Sequence, residues 1–314
     1  MIYFVDWCDD YERRMISYLK KMEHIGEISC ISKRFNSINK RLIRYNIKND
    51  WFVKCYIRFV YNKITPEDIF ICKESLFFKY IEIIKNINCK KILLLRSSLT
   101  ESRDVELDVV KKVFDSAYSF DKKDCQQTEL NYLNQFFPFG FKEIDKITEN
   151  VKCTPKSCFF LGKDKERIDI IENLATILKK HSCVISFYVV RDRTSLKNSE
   201  YYIDKNLSYE ENIENALHSE ILIEINREGQ SGLTLRALEA IFFNKKLITN
   251  NQDIVQYDFY SPEQIFILGK DSFDDIGKFL DTEFTPVRKD ILYQYSPDAM
   301  LETIIRNLSL LKNP

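Results

Sequence analysis

Residues 224–240 read EINREGQSGLTLRALEA, an apolar strand-like run passing through a polar turn into a helix. The chain has only seven glycines in 314 residues, yet Gly229 and Gly232 both fall in this turn. Glycine belongs where a backbone turns sharply or lets a ligand approach closely. The helix that follows presents unpaired N–H groups and the positive end of its dipole, which suits an anion. The chemistry indicated is phosphate binding: Gly229, Gln230, Ser231, Gly232 and Leu233 offer backbone donors, with the Ser231 or Thr234 hydroxyl as an extra donor or cap. A tight strand-to-helix connection with Ser231 as a plain N-cap is the alternative.

Two further groups belong to the same chemistry. Arg236 and Glu239 lie three apart on the following helix, either reaching toward a nucleotide or pairing with each other at the surface. GKDKER, residues 162–167, places Lys163, Lys165 and Arg167 beside Gly162 at the end of another apolar run. Lys163 and Arg167 are the preferred cations for a diphosphate, against a merely solvated helix start. The loop VRDRTSLKN (190–198) adds two arginines with a weaker signal.

The elements that must position these residues alternate in type. IYFVD (2–6), a helix over 10–24 closed by Gly26, and EISCIS (27–32) make a β-α-β unit, which implies a parallel sheet. DIFIC (68–72), a helix over 75–87, KILLL (91–95), a helix over 102–114 and AYSF (117–120) continue it. Residues 138–157 lose this periodicity and hold Pro138, Gly140 and Pro155, so a boundary is expected there, with domains of 1–150 and 151–314. The second series runs CFFLG (158–162), helix 165–181, VISFYVV (184–190), helix 209–219, ILIEI (221–225), helix 233–243, KLIT (246–249), QIFIL (264–268) and a last helix over 297–313. The expected class is α/β, with two Rossmann-like doubly wound domains facing a cleft.

Composition narrows the function. The chain is 45% hydrophobic, ample for a core, and its 47 basic and 47 acidic residues leave no net field to draw it to nucleic acid. Its start, MIYFVDWCDDYERR, is unlike a signal peptide, and no apolar run reaches the roughly 20 residues of a membrane span. Nine cysteines without a C-x-x-C fit free thiols in a reducing cytosol, and the three scattered histidines suggest no metal site. Segment 33–63 is both basic and aromatic; over residues 1–63 thirteen Lys or Arg face seven Asp or Glu. It suits an anionic membrane surface, a charged lipid-linked acceptor or single-stranded nucleic acid, or else it is a pair of core-packing helices with basic outer faces.

The stretch 158–268 resembles the donor-binding domain of GT-B glycosyltransferases, particularly the small bacterial enzymes of lipopolysaccharide and capsule assembly. The resemblance rests on CFFLGKDKERID, on ENALHSEILIEINREGQSGLTLRALEAIFFNKKLITNN and on YDFYSPEQIFIL; AYSFDKKDC followed by QFFPF matches the end of the first domain more loosely. It implies sugar transfer from a nucleotide-sugar, itself a substrate, without metal or cofactor, onto a lipopolysaccharide or lipid-linked glycan. Localisation would be cytoplasmic, peripheral at most on the inner face of the membrane. Glu239 takes the place of the glutamate that meets the donor ribose, and Arg236 leans to phosphate. Many retaining relatives carry a second glutamate eight positions earlier, where this chain has Ser231, so the resemblance leaves inversion and retention open. An inverting reaction needs a general base. Asp6, at the end of the first strand, is the candidate, with Asp121 and Asp124 behind it and Asp9 or Asp10 expected to cap the next helix. A nucleotide-sugar epimerase or hydrolase, or a catalytically degenerate binding protein on this fold, are the competing readings.

Overall fold

A computed structural model describes residues 1–21, 24–28, 33–45, 50–76, 81–99, 102, 105–227 and 232–310. The chain divides into two compact units, Met1–Asn134 and Gln135–Pro314. The segment ahead of the second domain's first strand, including Pro138 and Gly140, thus groups with the second unit.

The first unit contains β1 (Ile2–Val5), α1 (Asp10–Leu19), β2 (Ile25–Ile28), α2 (Lys33–Arg44), α3 (Asp50–Val60), β3 (Ile69–Lys73), α4 (Ile81–Ile84), β4 (Lys90–Leu94), α5 (Leu107–Val113), β5 (Ser116–Ser119), α6 (Lys122–Gln127) and β6 (Asn131–Tyr132). Its sheet runs β2-β1-β3-β4-β5-β6 with every recorded pairing parallel. Phe4, Phe70, Ile92 and Leu93 are wholly enclosed. A near-continuous apolar strand is what a sheet covered on both faces requires.

The second unit contains α7 (Ile144–Thr148), β7 (Thr154–Lys163), α8 (Ile168–Lys180), β8 (Val184–Val190), β9 (Tyr202–Ile203), α9 (Tyr209–His218), β10 (Ser219–Glu224), α10 (Leu235–Phe242), β11 (Lys246–Thr249), β12 (Ile265–Ile267), α11 (Ile276–Asp281), α12 (Lys289–Tyr293) and α13 (Pro297–Leu310). The sheet order is β12-β11-β10-β7-β8-β9, again parallel in every recorded pairing. Successive residues of β7 feed opposite cores. Phe159 joins Leu222, Ala237, Leu238 and Leu247, whereas Cys158 and Phe160 join Ile171, Leu174, Ile221 and Ile223. The period-two alternation of a strand does this sorting.

Several expectations shift. Gly26 lies inside β2, opposite Tyr3 of β1, and does not end α1. A Cβ there would sit 2.7 Å from the Tyr3 ring, so close approach explains the glycine. Helix α8 begins at Ile168 because residues 164–167 form a turn in which Lys165 and Glu166 take positive φ of 47° and 66°. Asp9 is the N-cap of α1, and Glu12 Oε2 accepts from the Asp9 amide at 3.1 Å. The two-residue strands β6 and β9 were too short for periodicity to show. Among the described residues no helix is long and apolar enough to cross a membrane.

Gly26→Ala is expected to lower unfolding stability by about 1–3 kcal/mol, the usual cost of overpacking, in urea denaturation. An unchanged midpoint would mean the Tyr3 ring simply moves aside.

Candidate functional site

The second sheet starts at β7, steps to β8 on one side, and later returns to β10 on the other. The carboxyl ends of β7 and β10 therefore border the switch point where ligands of open α/β sheets bind. Arg167 bridges these two ends. Its Nε donates to the Asp164 carbonyl at 3.1 Å, Nη1 to the Ile225 carbonyl and Nη2 to the Lys163 carbonyl. The guanidinium also lies 5.6 Å from the Phe160 ring centre, and it makes no carboxylate ion pair among the described residues. Burial, then the nearby charge of Arg227, lowers its pKa. Gly162 is glycine for a spatial reason: a Cβ would meet Arg167 Nη2 at 3.0 Å and Phe160 at 3.2 Å. Beside it Lys163 is exposed, its ammonium without a side-chain partner among the described residues.

Asp164, fully buried, anchors this corner. It accepts from the amides of Arg167 and Ile168, both at 3.1 Å, from Ser195 Oγ at 2.8 Å and from the Tyr202 hydroxyl. Burial alone would raise its pKa; these bonds outweigh burial and hold it below the ordinary value. The 190–198 loop turns inward to the same corner. Asp192 takes the Lys165 amide at 3.0 Å and Thr194 Oγ1 takes the Glu166 amide at 3.0 Å, so those two amides are spent internally.

Across the switch point, Thr234 caps α10, accepting from the Arg236 amide at 3.1 Å, and gives its own proton to Glu224. Thr249 donates to the other Glu224 oxygen. Gly232 is buried, and Leu233 packs in the core with its carbonyl accepting from Gln135 Nε2 at 3.3 Å. Gly229, Gln230 and Ser231 lie outside the described residues.

Arg236 and Glu239 pair, but in the interior. Glu239 Oε1 accepts from Asn212 Nδ2 at 3.0 Å, Oε2 accepts from Arg236 Nη1, and Arg236 Nη2 donates to Asn212 Oδ1 at 2.9 Å. The Arg236 guanidinium sits 4.7 Å from the centre of the Phe159 ring. Both oxygens of Glu239 are thus occupied within the unit. Burial, partly offset by Arg236 and Asn212, raises its pKa.

Sequence reading passed over Asn212, Glu224 and Asn226. Asn226 follows the end of β10 and is 6% exposed, and its Nδ2 has no hydrogen-bond acceptor among the described residues. Its main chain is fixed by Asn250, whose Oδ1 takes the Asn226 amide at 2.6 Å and whose Nδ2 gives to the Asn226 carbonyl at 3.0 Å. An enclosed donor without an acceptor is costly unless a ligand supplies one. Its position directly after an apolar strand was the available signal.

In the first unit Asp6 stands at the carboxyl end of β1, between β2 and β3, at that sheet's own switch point. It is 7% exposed with φ of 61°. Cys8 Sγ lies 3.6 Å from its carboxylate. Asp121 caps α6 through the Lys123 amide at 2.8 Å, and Asp124 holds Leu99 N at 3.0 Å and Ser119 Oγ at 3.1 Å, so both serve local structure. Lys73 is bound by Glu12 at 2.8 and 2.9 Å.

Burial raises the Glu224 pKa above 4.5, against the lowering effects of Thr234, Thr249 and Arg236. A carboxyl raised on folding stabilises fully below its unfolded pKa, and that contribution is lost as pH climbs through the folded value. Glu224→Gln should therefore flatten the fall in stability as pH rises above the ordinary carboxylate range, as read from unfolding midpoints over pH. Parallel curves for the two proteins would refute the assignment.

No family model matches the sequence, and no curated protein matches it. Solved structures do share its fold. An α,α-trehalose-phosphate synthase (UDP-forming) from Burkholderia xenovorans in complex with glucose-6-phosphate is 9% identical with a TM-score of 0.61 over 98% of this chain and 100% of that one. Anabaena Alr3699/HepE in complex with UDP and glucose is 10% identical, TM-score 0.59, over 98% and 99%. A sucrose-phosphate synthase from Thermosynechococcus elongatus is 10% identical, TM-score 0.58, over 99% and 98%. At such identities the likeness is one of fold, and the α/β fold of this chain is that of the GT-B glycosyltransferases.

Proposed function

We propose that the chain is a GT-B glycosyltransferase that moves a sugar from a nucleotide-sugar, with UDP the leading nucleotide, to a bacterial surface glycan of the lipopolysaccharide or capsule type. The observation that carries the donor reading is the switch point of the second sheet, where Lys163, Arg167 and the unsatisfied Asn226 amide converge on the strand ends beside the α10 N-terminus. Breaking a glycosyl–phosphate bond builds charge on the leaving diphosphate, and fixed donors and cations at that position stabilise it. UDP is favoured because HepE was solved with UDP and glucose and the trehalose-phosphate synthase is UDP-forming. The donor is a substrate, and the reading invokes no metal or cofactor. Within it, Gly162 lets Arg167 close on the strand end, residues 229–234 supply main-chain donors, and Asp6 is assigned to the acceptor hydroxyl. A ribose contact by Glu239 requires it to release Asn212 or Arg236. The surface-glycan acceptor rests on the sequence resemblance alone.

A lipid-linked acceptor would be met at a membrane, and α2 and α3 offer the surface. Phe35 stacks on Phe52 and Tyr56 at 4.7 and 3.8 Å, closing the inner side. Outward stand Tyr45, Trp51 and Phe59, at 72%, 62% and 82% exposure, among exposed Arg34, Arg41, Arg44, Lys54 and Arg58. Aromatic rings at headgroup depth with cations around them fit an anionic bilayer.

Two measurements follow. UDP should raise the melting temperature of the protein, and Lys163→Ala, which alters an exposed side chain, should weaken UDP by about 10–100-fold, the value of a charge-assisted hydrogen bond of roughly 1.5–3 kcal/mol. Binding that Lys163→Ala leaves intact, or no response to UDP, removes the donor site from this corner. Separately, the protein should sediment with anionic vesicles at low salt and less at high salt, and Trp51→Ala/Phe59→Ala should reduce it; equal recovery with zwitterionic vesicles would dismiss the membrane surface.

A further inference from the structure

We propose that Cys153 and Lys245 form a covalent modification site, at which peroxide oxidises the cysteine and the lysine amine closes a sulfenamide crosslink. Cys153 is exposed, just ahead of β7, and its Sγ lies 2.7 Å from Lys245 Nζ. Lys245, between α10 and β11, is only 4% exposed. Its ammonium donates to the Leu217 carbonyl and to Cys153 Sγ, and it makes no carboxylate ion pair among the described residues. A buried ammonium without a counter-charge is costly. Cys153 Sγ also lies 3.5 Å from the same Leu217 carbonyl, so sulfur and amine are held side by side, and the thiolate is the nucleophilic form of cysteine.

The other described thiols are placed differently, and half-buried Cys125 donates to the Ser119 carbonyl at 3.7 Å. Cys72, Cys89, Cys158 and Cys183 are buried. Cys8 donates to the Asp6 carboxylate at 3.6 Å. Cys55 is exposed but has no amine contact among the described residues.

The reaction balances with hydrogen peroxide as the one added oxidant. The Cys153 thiolate attacks an oxygen of peroxide, the O–O bond breaks, and hydroxide leaves; sulfur is oxidised to the sulfenic acid and peroxide oxygen is reduced. The hydroxide takes a proton from the Lys245 ammonium, giving water and the free amine. That amine attacks sulfur, the S–O bond breaks, a second water leaves, and an S–N bond joins the residues. The analogous condensation with a backbone nitrogen is a known branch of sulfenic acid chemistry. The product lacks two hydrogens relative to the thiol and amine. It would tie the segment before β7 to the far end of α10, the helix whose N-terminus borders the candidate donor site.

The experiment treats the full-length protein with graded hydrogen peroxide, with and without dimedone, and maps tryptic peptides by mass spectrometry before and after dithiothreitol. Wild type should yield a peptide pair joining Cys153 to Lys245, lighter by two hydrogens and separated by dithiothreitol. Lys245→Met should give no crosslink and let dimedone capture more Cys153 sulfenic acid. Cys153→Ser, which keeps an acceptor for Lys245, should show neither product. At low dose Cys153 should react about tenfold faster than Cys55 in wild type, as thiolate control of reactivity requires. The proposal is overturned if Cys153 reacts no faster than Cys55, or if hydrogen loss is confined to a Cys158–Cys183 disulfide, which gives a different peptide pair.

Discussion

A guanidinium held on three main-chain carbonyls is the constraint from which the candidate site follows. Arg167 takes the carbonyls of Lys163, Asp164 and Ile225 and so sets the spacing of β7 and β10 where their ladder ends. Carbonyl oxygens carry only partial charge, so the guanidinium is held without a carboxylate hydrogen bond, while Asp164 and Asp192 lie near enough to favour its charge. The glycine at 162 and the short polar residue at 164 both follow from it: one leaves room for the guanidinium, and the other accepts from the Arg167 and Ile168 amides so that Arg167 starts from a fixed backbone.

Facing it is a second, anionic tier that serves structure. Glu224 and Glu239 are buried carboxylates, each with both oxygens engaged, one by two threonine hydroxyls and the other by an arginine and an asparagine. Removing one partner from such a group costs more than the pair contributes, because a buried charge is left uncompensated. They join β10, β11, α9 and α10 around the start of α10. Arg236 belongs to this tier, since its donors are directed to Glu239 and Asn212. Lys163 and Arg167 are the cations that the proposed reading assigns to the ligand.

The alternation of elements was legible because both strand types and helices here run long enough to show their period, and most strands of the second unit fall within a residue or two of expectation. Where sequence reading failed, the cause was tertiary. Gly26 looked like a helix stop because nothing local announces a cross-strand tyrosine ring over it. The start of α8 was placed early because Lys165 and Glu166 are helix formers held left-handed by Asp192 and Thr194, partners about 27 residues away. Gly162, Lys163 and Arg167 were singled out from charge beside a strand end, and the structure brings them to one corner. Glu224 and Asn226 were missed because a carboxylate at the end of an apolar strand and an amide just after it reveal their roles only once Thr234, Thr249 and Asn250 are brought beside them.

The Glu224 cluster also carries a proton inventory. Each threonine hydroxyl has a single proton, and ionised Glu224 draws on both of them, which leaves Thr234 only its lone pairs for the Arg236 amide. The chain of bonds from that amide through Thr234 to Glu224 therefore runs in one direction, and an incoming phosphate finds no hydroxyl proton at Thr234. If Glu224 takes up a proton, that oxygen becomes a donor and one threonine must turn from donor to acceptor. The protonation of one buried acid thus sets which hydroxyl protons at the start of α10 are free.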